Sequence, residues 1–358
     1  MEISFVFPCF RRQDAVDETL RRLAECTLPF EAIAIDNSPE PLAFPPLPWL
    51  RSFRNPVNTG AAARNLGLDL AQAPVTVMLD DDSHPQAGSI EALTGFLAQA
   101  PPECAGVIGR IENLSGPGEA SLLPSVFHGA GAAFRTETMR RFQLRYPESF
   151  LFYGEEYRLS LEIARAGLFL LPCPEFRLLH RRDPNQRSLD KIFYNLGRHN
   201  RATWAGIVPE EYEELCIADS LERYRLTAAK EGVPAALERG LKEAVEDLPG
   251  PRMALADFRR LMLLDRLAAT PIPGQSLILC GSGKAPSLWC RELEERGISV
   301  QLADLNPGIA GKDFRGRRVL SLDQAQESAA PCLLGLASPI EENRWIDAIG
   351  SQRIIRLA

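Results

Sequence analysis

Three consecutive carboxylates, Asp80, Asp81 and Asp82, interrupt the run VTVMLDDDSHP at residues 75–85. Adjacent carboxylates repel one another and must be solvated, paired or placed on a cation. A turn, or a cap for the next helix, accounts for one Asp with Ser83 before Pro85 and does not need three. A metal or ligand role therefore stands beside the turn as a reading of this stretch. A second pair, Glu155 and Glu156, lies in FLFYGEEYRLSLEIARAG (150–167), at the start of a helix with Tyr157, Leu161 and Ala164 on one face and Gly167 as its stop. Acids in a first turn are also commonplace, because the helix dipole favours them. His180 follows an apolar run in LLHRRDPNQRS (178–188), among Arg181, Arg182 and Arg187, whose guanidiniums suit phosphate oxygens.

Such residues act together only if strands end beside them. ISFVFP, a helix with Val16, Leu20 and Leu23 on one face, EAIAID, a helix from Gly60 to Gln72 and VTVML make a βαβαβ pattern in the first 110 residues. That pattern implies a parallel sheet with right-handed crossovers, which binds ligands beyond the carboxyl ends of its strands. PCFRR, DNS and DDDSH fall at those ends, while PEPLAFPPLPWL (39–50) reads as a stiff peripheral loop. A helix-biased stretch at 209–268 is broken near LPGP (248–251). Beyond TPIPG (270–274) the alternation restarts with SLILC, a GSG turn, a helix carrying Trp289 and Leu293, and ISVQLAD. The expected fold is therefore α/β, with a domain at 1–205, a helical connector at 206–270 and a small α/β domain at 271–358.

The formal net charge of -7 over 358 residues argues against a general nucleic-acid binder, although arginines cluster at 177–187 and 315–318. The eight cysteines form no C-x-x-C pair, and Cys9, Cys280 and Cys332 lie in or beside apolar strands, as reduced core cysteines do. No window approaches the roughly 18 apolar residues of a spanning helix, and MEISFVFPCFRR lacks the order of a signal peptide. A cytoplasmic place is expected, and a peripheral one at the inner membrane surface is compatible with it.

Taken in order, the motifs of residues 1–205 resemble those of the GT-A catalytic domain of a family 2 glycosyltransferase. Pro8, Cys9, Phe10 and Arg11 resemble its first nucleotide-contacting loop. Asp36 in AIDNS holds the place of the acid that reads the nucleotide base, and NTGAAARN, with Asn58, Gly60 and Arg64, resembles its N-x-G-x-x-x-x-R-N segment. DDD at 80–82 takes the place of its metal-binding D-x-D. The resemblance implies that Asp80, Asp82 and His180 hold the metal, Mn²⁺ or Mg²⁺ as oxygen ligands select a hard cation, and the diphosphate, with Asp81 and Arg182 on the nucleotide sugar. HGAGAAFR (128–135), with Gly129 and Gly131, resembles the segment lining the sugar site, and Glu155-Glu156 the E-D motif whose second acid is the catalytic base. Glu156 stands where the family usually has Asp, and the following acid and arginine are exchanged as Arg158 and Glu162, which keeps an i,i+4 pair. The base stays open between Glu155 and Glu156. KIFYNLGRHNRATW (191–204) resembles the family's closing helix.

The implied activity is metal-dependent, inverting transfer of a sugar from a UDP-, dTDP- or GDP-sugar to the hydroxyl of a glycan, a lipid-linked or a small-molecule acceptor. A sugar nucleotidyltransferase would carry a glycine-rich basic loop after the first strand, which PCFRRQDA lacks. A non-catalytic sugar-nucleotide-binding protein and a homo-oligomer both stay open. In the C-terminal part, SLILCGSGKAPSLWCRELEERGISVQLADLNP (276–307) resembles small Rossmann-like units. Gly281 and Gly283 match G-x-G and Asp304 the ribose-binding acid, but Pro286 replaces the third glycine, which favours a structural or assembly role over dinucleotide binding.

Overall fold

The computed structural model describes residues 1–357 apart from 115–117, 122, 124, 182–187, 249, 282 and 335–338, with the backbone alone at 339 and 340. Arg182 and Arg187 lie outside the described residues. The chain divides into two compact units, Met1–Ala120 with Ser125–Arg187, and Ser121–Pro124 with Ser188–Ala358.

The first unit runs β1 (Ile3–Cys9), α1 (Gln13–Leu23), β2 (Phe30–Asp36), β3 (Leu50–Arg54), α2 (Ala63–Leu70), β4 (Val75–Met78), β5 (Ser83–Pro85), α3 (Ser89–Gln99), β6 (Cys104–Asn113), β7 (Ala132–Arg135), α4 (Thr136–Arg141), α5 (Glu155–Arg165) and β8 (Phe169–His180). Its sheet has the order β3-β2-β1-β4-β7-β6-β8-β5. β1 pairs in parallel with both β2 and β4, so it is covered on both faces and reads as a continuous apolar run. Alternate residues divide between the two faces. Ile3, Phe5 and Phe7 pack with Val16, Leu20 and Leu23 of α1, and Val6 packs with Ile33, Ile35 and Leu68 in the other layer.

Register sets the site. Cys9 is opposite Asp36 in the β1–β2 pairing, and the Leu79 amide donates to the Val6 carbonyl, so the ends of β1, β2 and β4 lie side by side as expected. The antiparallel pairing of β5 with β8 puts His180 opposite Ser83, one residue beyond Asp82. Two details differ from the sequence expectation. The Pro-rich stretch ends in β3, whose exposed and half-buried residues carry no apolar run, and the helix expected from Gly60 begins as a short 3-10 turn, Gly60–Ala62, before α2.

The second unit contains α6 (Leu189–Trp204), α7 (Glu210–Lys230), α8 (Pro234–Lys242), α9 (Leu255–Leu261), α10 (Leu264–Ala269), β9 (Ser276–Cys280), α11 (Pro286–Glu295), β10 (Ser299–Ala303), β11 (Asp313–Phe314), β12 (Arg317–Leu320), α12 (Leu322–Glu327), β13 (Cys332–Leu334), α13 (Pro339–Ile349) and β14 (Ile354–Arg356). α6, placed with the first domain from sequence, falls in this unit. The sheet order is β11-β12-β10-β9-β13-β14, parallel except at β11–β12. Trp289 and Leu293 are fully buried, as their spacing predicts. All eight cysteines are free, and Cys9, Cys280 and Cys332 are buried in strands. Among the described residues no helix is long and apolar enough to cross a membrane.

Arg181 fastens the end of β8 to α1 by donating to the Ala15 carbonyl at 3.0 Å, to Thr19 Oγ1 at 2.5 Å and to His84 Nδ1 at 2.6 Å. Burial and then the Arg181 charge hold the His84 pKa down to about 4. The folded protein thus keeps His84 neutral where the unfolded chain takes up a proton, so its contribution is complete above pH 6.5 or so and is lost as pH falls toward 4. The expected outcome is an acid-side loss of up to about 3 kcal/mol from this group. Urea unfolding of His84→Gln beside the native protein at pH 7.5 and pH 4.5 measures it, and a pH slope unchanged by the substitution would refute it.

Candidate active site

The three aspartates leave β4 in different directions. Asp80 Oδ1 pairs with Arg64, while its Oδ2 lies 3.8 Å from His180 Nε2. Asp82 gives Oδ2 to Arg12 Nη1 at 2.6 Å and Oδ1 to His180 Nε2 at 3.0 Å. Each of these carboxylates therefore has one oxygen fixed by an arginine and one turned toward the same imidazole nitrogen. Asp81 points the other way, into a pairing with Arg12 and an acceptor position 3.3 Å from the Phe10 amide. A turn closed by Ser83 is present as well, with the Ser83 amide and hydroxyl both donating to the Asp80 carbonyl.

Electrostatics separates the three. Burial raises the Asp81 carboxyl to about 6 in spite of Arg12. Burial also acts on Asp82, but His180 and Arg12 outweigh it and hold the group at about 2. His180 is pushed up to about 10, against burial, by Asp82 and Glu119. Glu119 Oε1 lies 3.2 Å from His180 Nδ1, and its Oε2 lies 2.8 Å from His128 Nε2. Glu119 thus holds Nδ1, and Nε2, the nitrogen that faces Asp82, becomes a ligand atom on losing its proton.

Among the described residues, Asp80, Asp82 and His180 form a group able to hold a metal ion, with one ligand atom from each lying within 4.8 Å of the others. Two carboxylate oxygens and an imidazole nitrogen fit Mn²⁺ or Mg²⁺ chemically. The arginines do not compete for the oxygens concerned, because they bind the opposite ones.

Across the site, α5 begins after Tyr153 and Gly154, both left-handed at φ 68° and 99°. Its first two residues diverge. Glu155 is 6% exposed, its Oε2 has no hydrogen-bond partner among the described residues, and burial followed by the Glu156 charge pushes its carboxyl well above the usual range. Glu156 is half-buried, and a side chain added at Gly129 would come within 3.3 Å of its Oε1. Arg64 lies between the two carboxylate pairs, 5.7 Å from the Tyr146 ring centre, and feels Asp80, Glu155 and Glu156 together. Asn65 holds Tyr146 there through two bonds of 2.9 Å, and the Ala61 amide binds the Leu151 carbonyl. Gly60, at φ 57°, leaves no room for a side chain against that carbonyl. Arg158 and Glu162 form the expected i,i+4 pair at 2.9 Å.

The residues expected on the nucleotide side are placed as follows. Pro8 is half-buried in β1, Phe10 is exposed, and Arg11 has φ 61° with its guanidinium carbon 5.0 Å from the Phe10 ring centre. Asn58 caps the Gly60 amide at 2.9 Å. Asp36 is 2% exposed and accepts from the Ser38 amide, the Leu42 amide and Arg54 Nη1 at 2.8–3.0 Å. Its carboxylate is thus engaged in holding its own loop as an Asx turn. Asp81 serves the Arg12 anchor, and Gly131 packs on Ile111. Arg12, Glu119, His128 and Tyr146 join the site without having been singled out. For Arg12 the neighbouring Arg11 offered an equal candidate, and no spacing rule points to Glu119.

Residues 4–151 match the family model described as Glycosyl transferase family 2, and that stretch is a glycosyltransferase domain. No curated protein matches the chain in sequence. Among solved structures, S. aureus TarS 1-349 in complex with UDP-GlcNAc is 15% identical over 73% of this chain and 82% of its own, with a TM-score of 0.51, and shares the GT-A fold. GalNAc-T7 with UDP, GalNAc and Mn²⁺ is 15% identical, covering 68% of this chain and 56% of its own at a TM-score of 0.48. The Pyrobaculum calidifontis mannosyltransferase PcManGT with GDP-Man and Mn²⁺ is 16% identical, covering 83% and 86% at 0.43.

Asp80, Asp82 and His180 would hold a cation only once Nε2 gave up its proton. Mn²⁺ affinity, followed by electron paramagnetic resonance of the free ion, is therefore expected to fall roughly tenfold per pH unit as pH drops from 8 to 6. Asp82→Asn should abolish tight binding. An affinity independent of pH would exclude His180 as a ligand.

Proposed function

We propose that this protein moves a glycosyl group from a nucleotide-diphosphate sugar to an acceptor hydroxyl, with inversion at the anomeric carbon, a divalent cation held by Asp80, Asp82 and His180, and Glu156 as base. The convergence of Asp80 Oδ2, Asp82 Oδ1 and His180 Nε2 at the end of β4 carries this reading. The shared fold with TarS in complex with UDP-GlcNAc supports a sugar nucleotide as donor. When bound, the cation supplies positive charge to a diphosphate leaving group.

The chain's own residues supply the rest. Glu156 takes the proton of the acceptor hydroxyl as that oxygen bonds to the anomeric carbon and the bond to the diphosphate oxygen breaks on the opposite face. Glu155 is buried, and burial pushes its carboxyl well above the usual range, which disfavours the ionised form a base needs. Gly129 keeps the space before Glu156 Oε1 free. Arg64 holds Asp80 from behind and links the metal side to the base side.

Release of nucleoside diphosphate from a panel of sugar nucleotides with Mn²⁺, with and without acceptors, tests the reading. Glu156→Gln should lower turnover by about 10²–10⁴-fold, whereas Glu155→Gln, isosteric with a neutral acid, should stay within about tenfold of the native rate. The reverse order would transfer the role of base to Glu155. Retention of the donor's anomeric configuration in the product, read by NMR, would exclude direct displacement. Gly129→Ala should lower kcat while leaving the thermal midpoint nearly unchanged.

A further inference from the structure

The second unit contains an arrangement that glycosyl transfer does not use. Its strands β12, β10, β9, β13 and β14 are all parallel, and the strand order reverses between β9 and β13. In sheets of this type a dinucleotide lays its pyrophosphate on the glycine turn after the first strand and on the start of the next helix, and its ribose on an acid ending the second strand. Those places are Gly281 and Gly283 with Lys284, the start of α11 at Ser287, and Asp304 beyond β10. The glycines are left-handed, at φ 87° and 50°.

One helix meets all three. Asp219 of α7 accepts from the Ser287 amide at 2.7 Å, from its hydroxyl at 2.8 Å, and from Arg315 Nη1 at 2.5 Å. Arg223, one turn further, pairs with Asp304 at 3.5 Å, whose other oxygen accepts from the Asn306 amide. Tyr224 accepts from Lys284 Nζ at 2.8 Å, with the ammonium 5.3 Å from its ring centre. Asp219 is fully buried, and Arg223 and Tyr224 are each 8% exposed. A helix packed for stability alone presents an apolar stripe, and burying charge is costly unless each charge meets a partner. Here Asp219, Ser220 and Arg223 are buried on the same face as Cys216, Ile217 and Ala228, and the two charges meet the cleft as an anion on the helix start and a cation on the acid.

We propose that α7 is the resident occupant of this nucleotide-type cleft, which makes the C-terminal unit a closed structural module rather than a cofactor domain. The carboxylate of Asp219 stands where a phosphate would lie, and the guanidinium of Arg223 covers the acid that would hold a ribose. Pro286 agrees with this, since a helix start capped by a side chain has no need of the third glycine's close approach.

Titration of the full chain with NADH, followed by its fluorescence, should give no saturable binding. Hydrogen exchange should report α7, the start of α11 and residues 304–306 as one protected group. Arg223→Met, which keeps the volume and removes the charge, should speed exchange in that group by about tenfold or more while Mn²⁺ binding by the first unit is unchanged. Arg223→Lys should restore part of the protection. Saturable NADH binding lost in Asp304→Ala, or α7 exchange unaffected by Arg223→Met, would overturn the proposal.

Discussion

Two arginines make the triple aspartate tenable. Arg12 and Arg64 each hold an oxygen of Asp82 and Asp80, and in doing so turn the opposite oxygens toward His180. Without them three adjacent carboxylates at a buried strand end would repel one another and seek water. The same two side chains carry structure outward. Arg12, just before α1, ties the loop after β1 to the aspartates, and Arg64 on α2 ties them to Tyr146 and the start of α5.

Helix geometry gives the two neighbouring glutamates different characters. Successive residues on a helix diverge by about 100°, so Glu155 turns into the packed side of α5 and Glu156 toward Gly129. Burial pushes the carboxyl of the first well above the usual range, while the second stays half-buried. His180 is likewise oriented by its partners, with Glu119 at one ring nitrogen and Asp82 at the other.

The two units show how little an α/β framework says about chemistry. Both end parallel strands at a polar cluster. In the first unit the charged groups leave oxygens facing a common point, and in the second a helix of the same unit meets each of them.

The sequence by itself determined the strands, the helices that cover them and the carboxylates at their ends. These depend on local periodicity, as Phe5, Phe7, Val16 and Leu20 illustrate by packing where their spacing puts them. It also carried the Arg158–Glu162 pair and the Ser83 turn, since both partners lie within a few residues. Only the tertiary structure decided that Asp36, beyond its local turn with Ser38, also meets Leu42 and Arg54, that Arg12 rather than Arg11 meets the aspartates, and that Glu119 stands behind His180. Which oxygen of a carboxylate stays free depends on donors brought in by strand register and helix packing, and Asp82 meets His180 across 98 residues of chain. Short-range pattern cannot encode that choice, because it is made by the partner that arrives.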